Sequence, residues 1–351
     1  RVDHNERELY VSRIMAGKIG IKIDGKSCFI AIPEAYDKYV AQEIFFSTKR
    51  DAGFYGAMTE EEVDDMMLQT GLWSRDEEAQ LEGSPRKIEN LKVALYEAQM
   101  RTKIFDATRK TLDKAKDKFI QLTNKKSSLN NVTDTGSANA IKLQYLLYTS
   151  IIDKKGEYVY DGDNFWEEEH GLIENIFKKY LSSQIAEDII RELARTEPWR
   201  SYWGASKIEG SVFGKSAAEL NTEQRSLINW SKFYDSIYEH MESPGEAVIQ
   251  DDDLLDGWLI IQSRKREKEK LEKEVDKKIG KNRGAQEVYV MADNIEHAQR
   301  INELNNPMAR GVKRSREKVI DQKGSVAEQD LPDAKNRMRM QANQQRSKKG
   351  G

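Results

Sequence analysis

The sequence predicts a mostly α-helical, elongated protein: long solvated helices, a small N-terminal β-hairpin, and one compact aromatic region. Three observations carry this. Hydrophobic residues are only 38% of the 351 and charged residues are 33%, against roughly 45–50% and about 25% in ordinary globular chains. So small an apolar fraction cannot line a thick core along the whole length. Apolar positions recur at three- and four-residue spacing through most of the chain, which is the helical period. Finally, four of the six tryptophans gather in the second half, at Trp199, Trp203, Trp230 and Trp258.

The first element is the clearest strand signal. Ile19, Ile21 and Ile23 alternate with Gly20 and Lys22, and Asp24-Gly25 separates them from Cys28–Ile32. Asp-Gly between two such runs marks a two-residue hairpin turn. Pro33 ends the second strand, and a helix follows from about Glu34 to Arg50 with Tyr36, Tyr39, Val40 and Ile44 on one side. Thr59 and Ser74 precede acidic turns and cap two short helices. Ser84-Pro85 then opens a long helix, since proline suits a first helical position. It carries Leu91, Ala98, Phe105, Leu112 and Phe119 at seven-residue recurrence. The alternate seam positions Thr102, Arg109 and Lys116 are polar, which suits an antiparallel hairpin better than a self-standing coiled coil. Ser127–Gly136 reads as its turn and Ala138–Ile152 as the returning helix.

A loop at 153–164 leads into a helical region to about Thr196, striped with Leu172, Ile176, Tyr180, Ile189 and Leu193. The aromatic helix begins at Asn221 or Thr222, carries Leu227, Trp230, Phe233, Tyr234, Ile237 and Tyr238, and ends before Pro244. Asp251-Asp252-Asp253 opens the last long helix, which is apolar to Ile261 and almost wholly charged from Arg264 to Lys281. Such a polar helix is solvent-bridging or held by charge pairs. A short strand, 287–291, and a helix from Asn294 complete the reading. Past Pro332 the chain is polar and basic, a composition expected to be disordered unless bound. The implied domains are 1–83, 84–152, 153–263, 264–331 and 332–351.

The formal net charge is −3, but its distribution is blocky. Acids crowd Glu60–Asp65, Glu167–Glu169 and Asp251–Asp253, and bases dominate Lys335–Lys349. Blocks of this kind point to electrostatic contacts with neighbours. A single cysteine, Cys28, excludes an internal disulfide and a thiolate zinc cluster. The four histidines, His4, His170, His240 and His297, have no ligand spacing. No apolar run approaches ~18 residues, so no membrane contact is expected. No signal peptide is visible, and a reducing compartment is the default.

Several motifs carry residue types that chemistry could use. Gly20–Ser27 fits the phosphate-loop spacing G-x4-G-K-S, but that loop must follow a strand and open a helix. Here the intervening residues alternate like a strand, and the hairpin reading prevails. Gly210–Ser216 is one residue short of the same motif and reads as a flexible linker. Asp251–Asp253 with Asp256 offers oxygens for a hard cation; aspartates entering a helix more often cap it. Asp161-Gly162-Asp163-Asn164 reads as a turn, and Cys28 as a packed strand residue. Aromatics at helical spacing are a core or inter-chain pattern more than a base-stacking platform. The basic tail, with Arg337, Arg339, Arg346, Lys348 and Lys349, suits a polyanion or an acidic partner. No catalytic residue, cofactor or metal is assigned.

Arg195–Arg200, Leu220–Arg225, Trp230–Asp235 and Asp251–Trp258 together resemble a group of uncharacterised tailed-bacteriophage virion or tail-assembly proteins. The resemblance covers mainly the second half. It implies a structural or assembly role through protein–protein contacts with other phage subunits, in a virion or the host cytoplasm, with self-association left open. Trp199, Arg200, Trp203, Trp230, Tyr234 and Trp258 are the expected partner-binding anchors, because Trp, Tyr and Arg dominate interface energetics. Two alternatives stand beside it. One is a nucleic-acid-binding protein of packaging or replication acting through the tail. The other is a nucleotide-binding enzyme using Lys26 or Lys215.

Overall fold

Asp3 opens a helix that the sequence reading passed over. Its carboxylate accepts from the Asn5 amide while the Glu6 carboxylate accepts from the Asp3 amide, and α1 (His4–Ala16) ends at Gly17 with φ 66°. The computed structural model describes residues 2–23, 25–209, 212–216 and 219–279, with scattered positions between 298 and 321. These belong to two units, Arg1–Ile260 and Ile261–Gly351.

The hairpin follows as expected. Strands β1 (Ile19–Ile23) and β2 (Lys26–Ile30) pair antiparallel with Ile23 opposite Lys26, and Gly25 takes φ 76° at the turn. A third strand, β3 (Ile151–Ile152), pairs antiparallel with β2 to complete the sheet. Alternation buries Ile21, Ile23, Cys28 and Ile30 on one face.

That face packs against α2 (Ala35–Phe54), α6 (Asp134–Thr149) and α7 (His170–Ser182), forming one core with Ala41, Ile44, Tyr145, Tyr148, Phe165 and Ile176. The expected face of α2 is corrected here. Ala41 and Ile44 point inward, whereas Tyr36 and Tyr39 are exposed.

The central hairpin is also corrected. Helix α3 (Glu60–Gln69) is capped by Thr59 and helix α4 (Arg75–Glu97) by Ser74, each through a reciprocal capping box. But α4 runs on through Pro85 and stops at Ala98. Pro85 is exposed, where a lost helix hydrogen bond is most easily replaced by water, and Ser84 Oγ donates to the Gln80 carbonyl at 2.5 Å beside it. The chain then reverses over Ala98–Arg101 into α5 (Thr102–Lys126). The hairpin turn therefore lies at 98–101, not at 127–136, where a 3-10 helix, Ser127–Val132, leads into α6. Leu95 of α4 and Leu112 of α5 are fully buried together with Val248 and Leu254.

The aromatic bundle assembles α8 (Glu187–Arg195), α9 (Trp199–Glu209), α10 (Thr222–Tyr238), α11 (Glu246–Ile249) and the start of α12 (Asp252–Ile279). Asn221 caps α10 in a capping box with Gln224. The core of this bundle also takes in Val11 and Ile14 of α1. The N-terminal helix thus packs with helices of the second half. The fold is mostly α, with twelve α-helices among the described residues and one small antiparallel sheet near the N-terminus. No helix among them is long and apolar enough to cross a membrane.

In the second unit, α12 continues as the expected charged helix to Ile279, with Lys268 paired to Glu272 one turn on. The expected strand 287–291 and the basic tail after Pro332 lie outside the described residues; of the helix expected from Asn294, only scattered positions are described, and these are helical.

Candidate functional site

Of the six expected partner anchors, four are consumed by the protein's own core. Trp199, Trp203, Tyr234 and Trp258 are buried in one cluster, so their apolar area already stabilises this chain. Each indole or phenol also has its polar atom satisfied or its ring engaged. Trp199 Nε1 donates to Ser231 Oγ at 2.7 Å, and Trp203 Nε1 donates to Asp235 at 2.7 Å. Tyr234 Oη accepts from Arg195 at 2.8 Å, and the His240 ring stands edge-on to Trp258 at 5.4 Å. Trp230 is half-buried beneath Arg191, whose guanidinium lies 4.4 Å from its ring centroid, and its Nε1 donates to Glu187. Arg200 donates to Asp235 at 2.8 Å. Helical spacing made the rings read as either core or interface, and the geometry gives them to the core.

The aspartates entering α12 are corrected only in scope. Asp251 does cap the helix, accepting from the amides of Asp253 and Leu254 at 3.1 Å each. The run does more than cap, because five cations converge on it from two sides. From the α4–α5 hairpin, Lys92 meets Asp256 at 2.6 Å, Lys116 meets Asp253 at 2.5 Å, and Arg109 bridges Asp251 and Asp253 at 2.5 and 2.9 Å. From α8, Arg191 meets Asp256 at 2.9 Å and Arg195 pairs with Asp252. Burial alone would raise the Asp256 carboxyl, but Arg191 and Lys92 more than offset it and hold it below the ordinary value. The carboxylates are thus spoken for by protein cations. Gly257 completes the clamp. A Cβ there would stand 2.3 Å from the Lys92 carbonyl oxygen, so α12 touches the backbone of α4 at this point.

The exposed face of α2 is what the sequence reading missed. Tyr36, Tyr39, Phe46 and Phe54 are 72, 63, 59 and 85% exposed, with Tyr55 also 85% exposed just beyond the helix. At 3.6 residues per turn the four helix residues, with Glu43 and Arg50, fall within an arc of about 80°. Exposed rings gathered on one helix face mark contact sites more than singly scattered ones do. A signal was present in the sequence. Residues 36, 39, 43, 46 and 50 follow the 3-4-3-4 spacing of a helix–helix seam, in addition to the inward pair at 41 and 44.

The remaining motifs resolve simply. Gly20–Ser27 forms the β1–β2 hairpin and opens no helix. In the second glycine–lysine loop, residues 210–211 lie outside the described residues. Phe213 stacks on Trp199 at 5.5 Å, and the Ser216 amide already donates to the Glu219 carboxylate at 2.9 Å. Asp161 accepts from the Asp163 amide in a turn, and Cys28 is buried in the sheet. Among the described residues no three His, Cys, Asp or Glu side chains group at metal-ligand range. Compared with known proteins, the chain matches no family model, no curated protein and no solved structure.

Proposed function

We propose that this chain is a structural or assembly component of a bacteriophage particle, acting through protein–protein contacts in virion, tail or head–tail assembly. The observation that carries the contact part is the aromatic stripe on α2, since large apolar patches on soluble proteins are characteristically interaction surfaces. The resemblance of the second-half segments to phage virion proteins supplies the setting. Their residues have structural work in the fold: Asp251 and Asp256 in the clamp, Gly257 in the helix crossing, Trp230 and Tyr234 in the bundle. The docking surface is therefore moved from the buried tryptophans to α2, with the bundle as the frame that holds it. The reading assigns no catalytic residue.

The test is genetic and visual. Disrupting the gene in its phage is expected to leave unjoined or malformed particles in electron micrographs, and a supplied wild-type copy restores them. Normal infectious particles from the disrupted phage overturn the proposal. A second reading, nucleic-acid binding, is favoured by the basic segment with Arg337, Arg339, Arg346, Lys348 and Lys349. It requires an affinity for DNA that falls steeply with salt and is lost on truncation after Pro332.

A further inference from the structure

We infer that the exposed face of α2 pairs antiparallel with the same face of a second copy of this chain. The inference deepens the protein-contact reading above and rests on it. Its basis is a self-complementary order of residues along the stripe. Reading from the helix N-terminus, the exposed seam is Tyr36, Tyr39, Glu43, Phe46, Arg50 and Phe54.

An isologous contact brings one patch against itself about a two-fold axis, so residue i meets j and j meets i. With the axis beside Phe46, Tyr39 falls opposite Phe54 of the second copy, and Glu43 falls opposite Arg50 of the second copy. The two Phe46 rings meet near the axis. Glu43 and Arg50 each lie about 5 Å along the helix from that centre, on opposite sides. The pattern thus offers two aromatic contacts, two ion pairs and a central aromatic pair from a single surface. A parallel arrangement places Glu43 against Glu43 and Arg50 against Arg50, and is repelled.

The present surroundings of the two charges fit this use. Glu43 is exposed and makes no ion pair among the described residues, while Arg50 has only its exposed neighbour Asp51 at 3.6 Å, a pair of negligible strength in water. The area is adequate. Aromatic side chains bury about 150–250 Å² each, so four mostly exposed rings and Tyr55 supply several hundred Å² per copy. A standard interface takes roughly 800 Å² from each partner. The opposite face of α2 is fixed against α6 through Ala41 and Ile44, so the stripe is presented by a helix that is already held.

The test is sedimentation velocity and light scattering on the full chain over a range of concentrations. The wild type is expected to form a dimer. Glu43→Arg alone, and Arg50→Glu alone, each set like charges opposite one another and are expected to weaken the dimer about tenfold or more. An equimolar mixture of these two variants is expected to recover the dimer, because each position 43 then faces an opposite charge at position 50 of the other chain. Circular dichroism of both variants checks that these exposed changes leave the fold intact.

Three outcomes overturn the inference: a wild type that stays monomeric up to about 0.1 mM, a dimer indifferent to both single changes, or a mixture that fails to recover. None of the three bears on the particle-assembly test. A chain that is monomeric yet needed for particles retains the assembly reading and loses only the self-pairing.

Discussion

The guanidinium of Arg191 donates to the Asp256 carboxylate at 2.9 Å and lies 4.4 Å over the Trp230 ring. One side chain therefore ties α8 to α12 by charge and to α10 by its flat face. Removing one member of a buried ion pair strands the other, at about 3–5 kcal/mol when burial is complete. Asp256→Asn leaves Arg191 with Asp252 at 3.2 Å and Lys92 without its nearest partner. The expected cost is therefore smaller, about 2–3 kcal/mol in urea unfolding. An unchanged midpoint would show the clamp to be ornamental.

Acid sensitivity follows from the same carboxylates. At Asp256, and at Asp235 facing Lys207, Trp203 and Arg200, burial pushes the carboxyl up but the donors bring it below its ordinary value near 3.8. A carboxyl that binds its proton less tightly folded than unfolded stabilises the fold fully above that ordinary value. The contribution is lost as pH falls through the lowered folded value. Glu223 runs the other way: burial raises it and Arg13 only partly compensates, so its contribution favours the fold at low pH and fades as pH rises. Thermal melts between pH 2 and 6 should show stability falling below about pH 4, with a shallower fall in Asp235→Asn. Equal slopes in the two proteins count against this account.

The contact at Gly257 makes a sharper demand. Its added Cβ meets the Lys92 carbonyl oxygen at 2.3 Å and the carbonyl carbon at 2.8 Å, and backbone cannot rotate aside. Gly257→Ala normally favours a helix by about 1 kcal/mol. Here the expected result is a loss of about 1–3 kcal/mol from overpacking. A stabilised Gly257→Ala protein would mean that α12 and α4 do not approach this closely.

Core and surface rings should separate cleanly. Trp199→Ala empties a buried position hydrogen-bonded to Ser231 and is expected to cost about 3–5 kcal/mol. Phe46→Ser changes an exposed ring and, at protein concentrations low enough to keep the chain monomeric, should stay within about 0.5 kcal/mol. The reverse order in chemical denaturation would return the tryptophans to the surface.

These contrasts also show what was legible in the sequence. Local chemistry read well: Asp-Gly gave the hairpin, Thr59, Ser74 and Asn221 gave caps, and Asp251 gave the start of α12. Local chemistry misled at Ser84-Pro85. A proline that suits a helix start is also tolerated on an exposed helix side, and the stop fell at Ala98, where no glycine or proline announces it. Long-range geometry was not legible. Nothing near Lys92, Arg109 or Arg191 in sequence tells that they close on aspartates about 60 to 165 residues away. The same holds for the rings. Period 3.6 says that Trp199 and Tyr36 each lie on a face, but which face meets a neighbour is decided by the whole packing. A high density of rings is also what builds a core, so the aromatic-rich segment does not by itself announce exposed surface.

The solitary thiol of Cys28 sits on the inward face of β2, buried in the core that the sheet shares with α2, α6 and α7. The molecule therefore carries its own clock for opening. A thiol-reactive dye can label it only when this sheet separates from those helices, and each chain offers it one target. Timing that labelling in the presence and absence of a binding partner reads how firmly this core is held, with no substitution made.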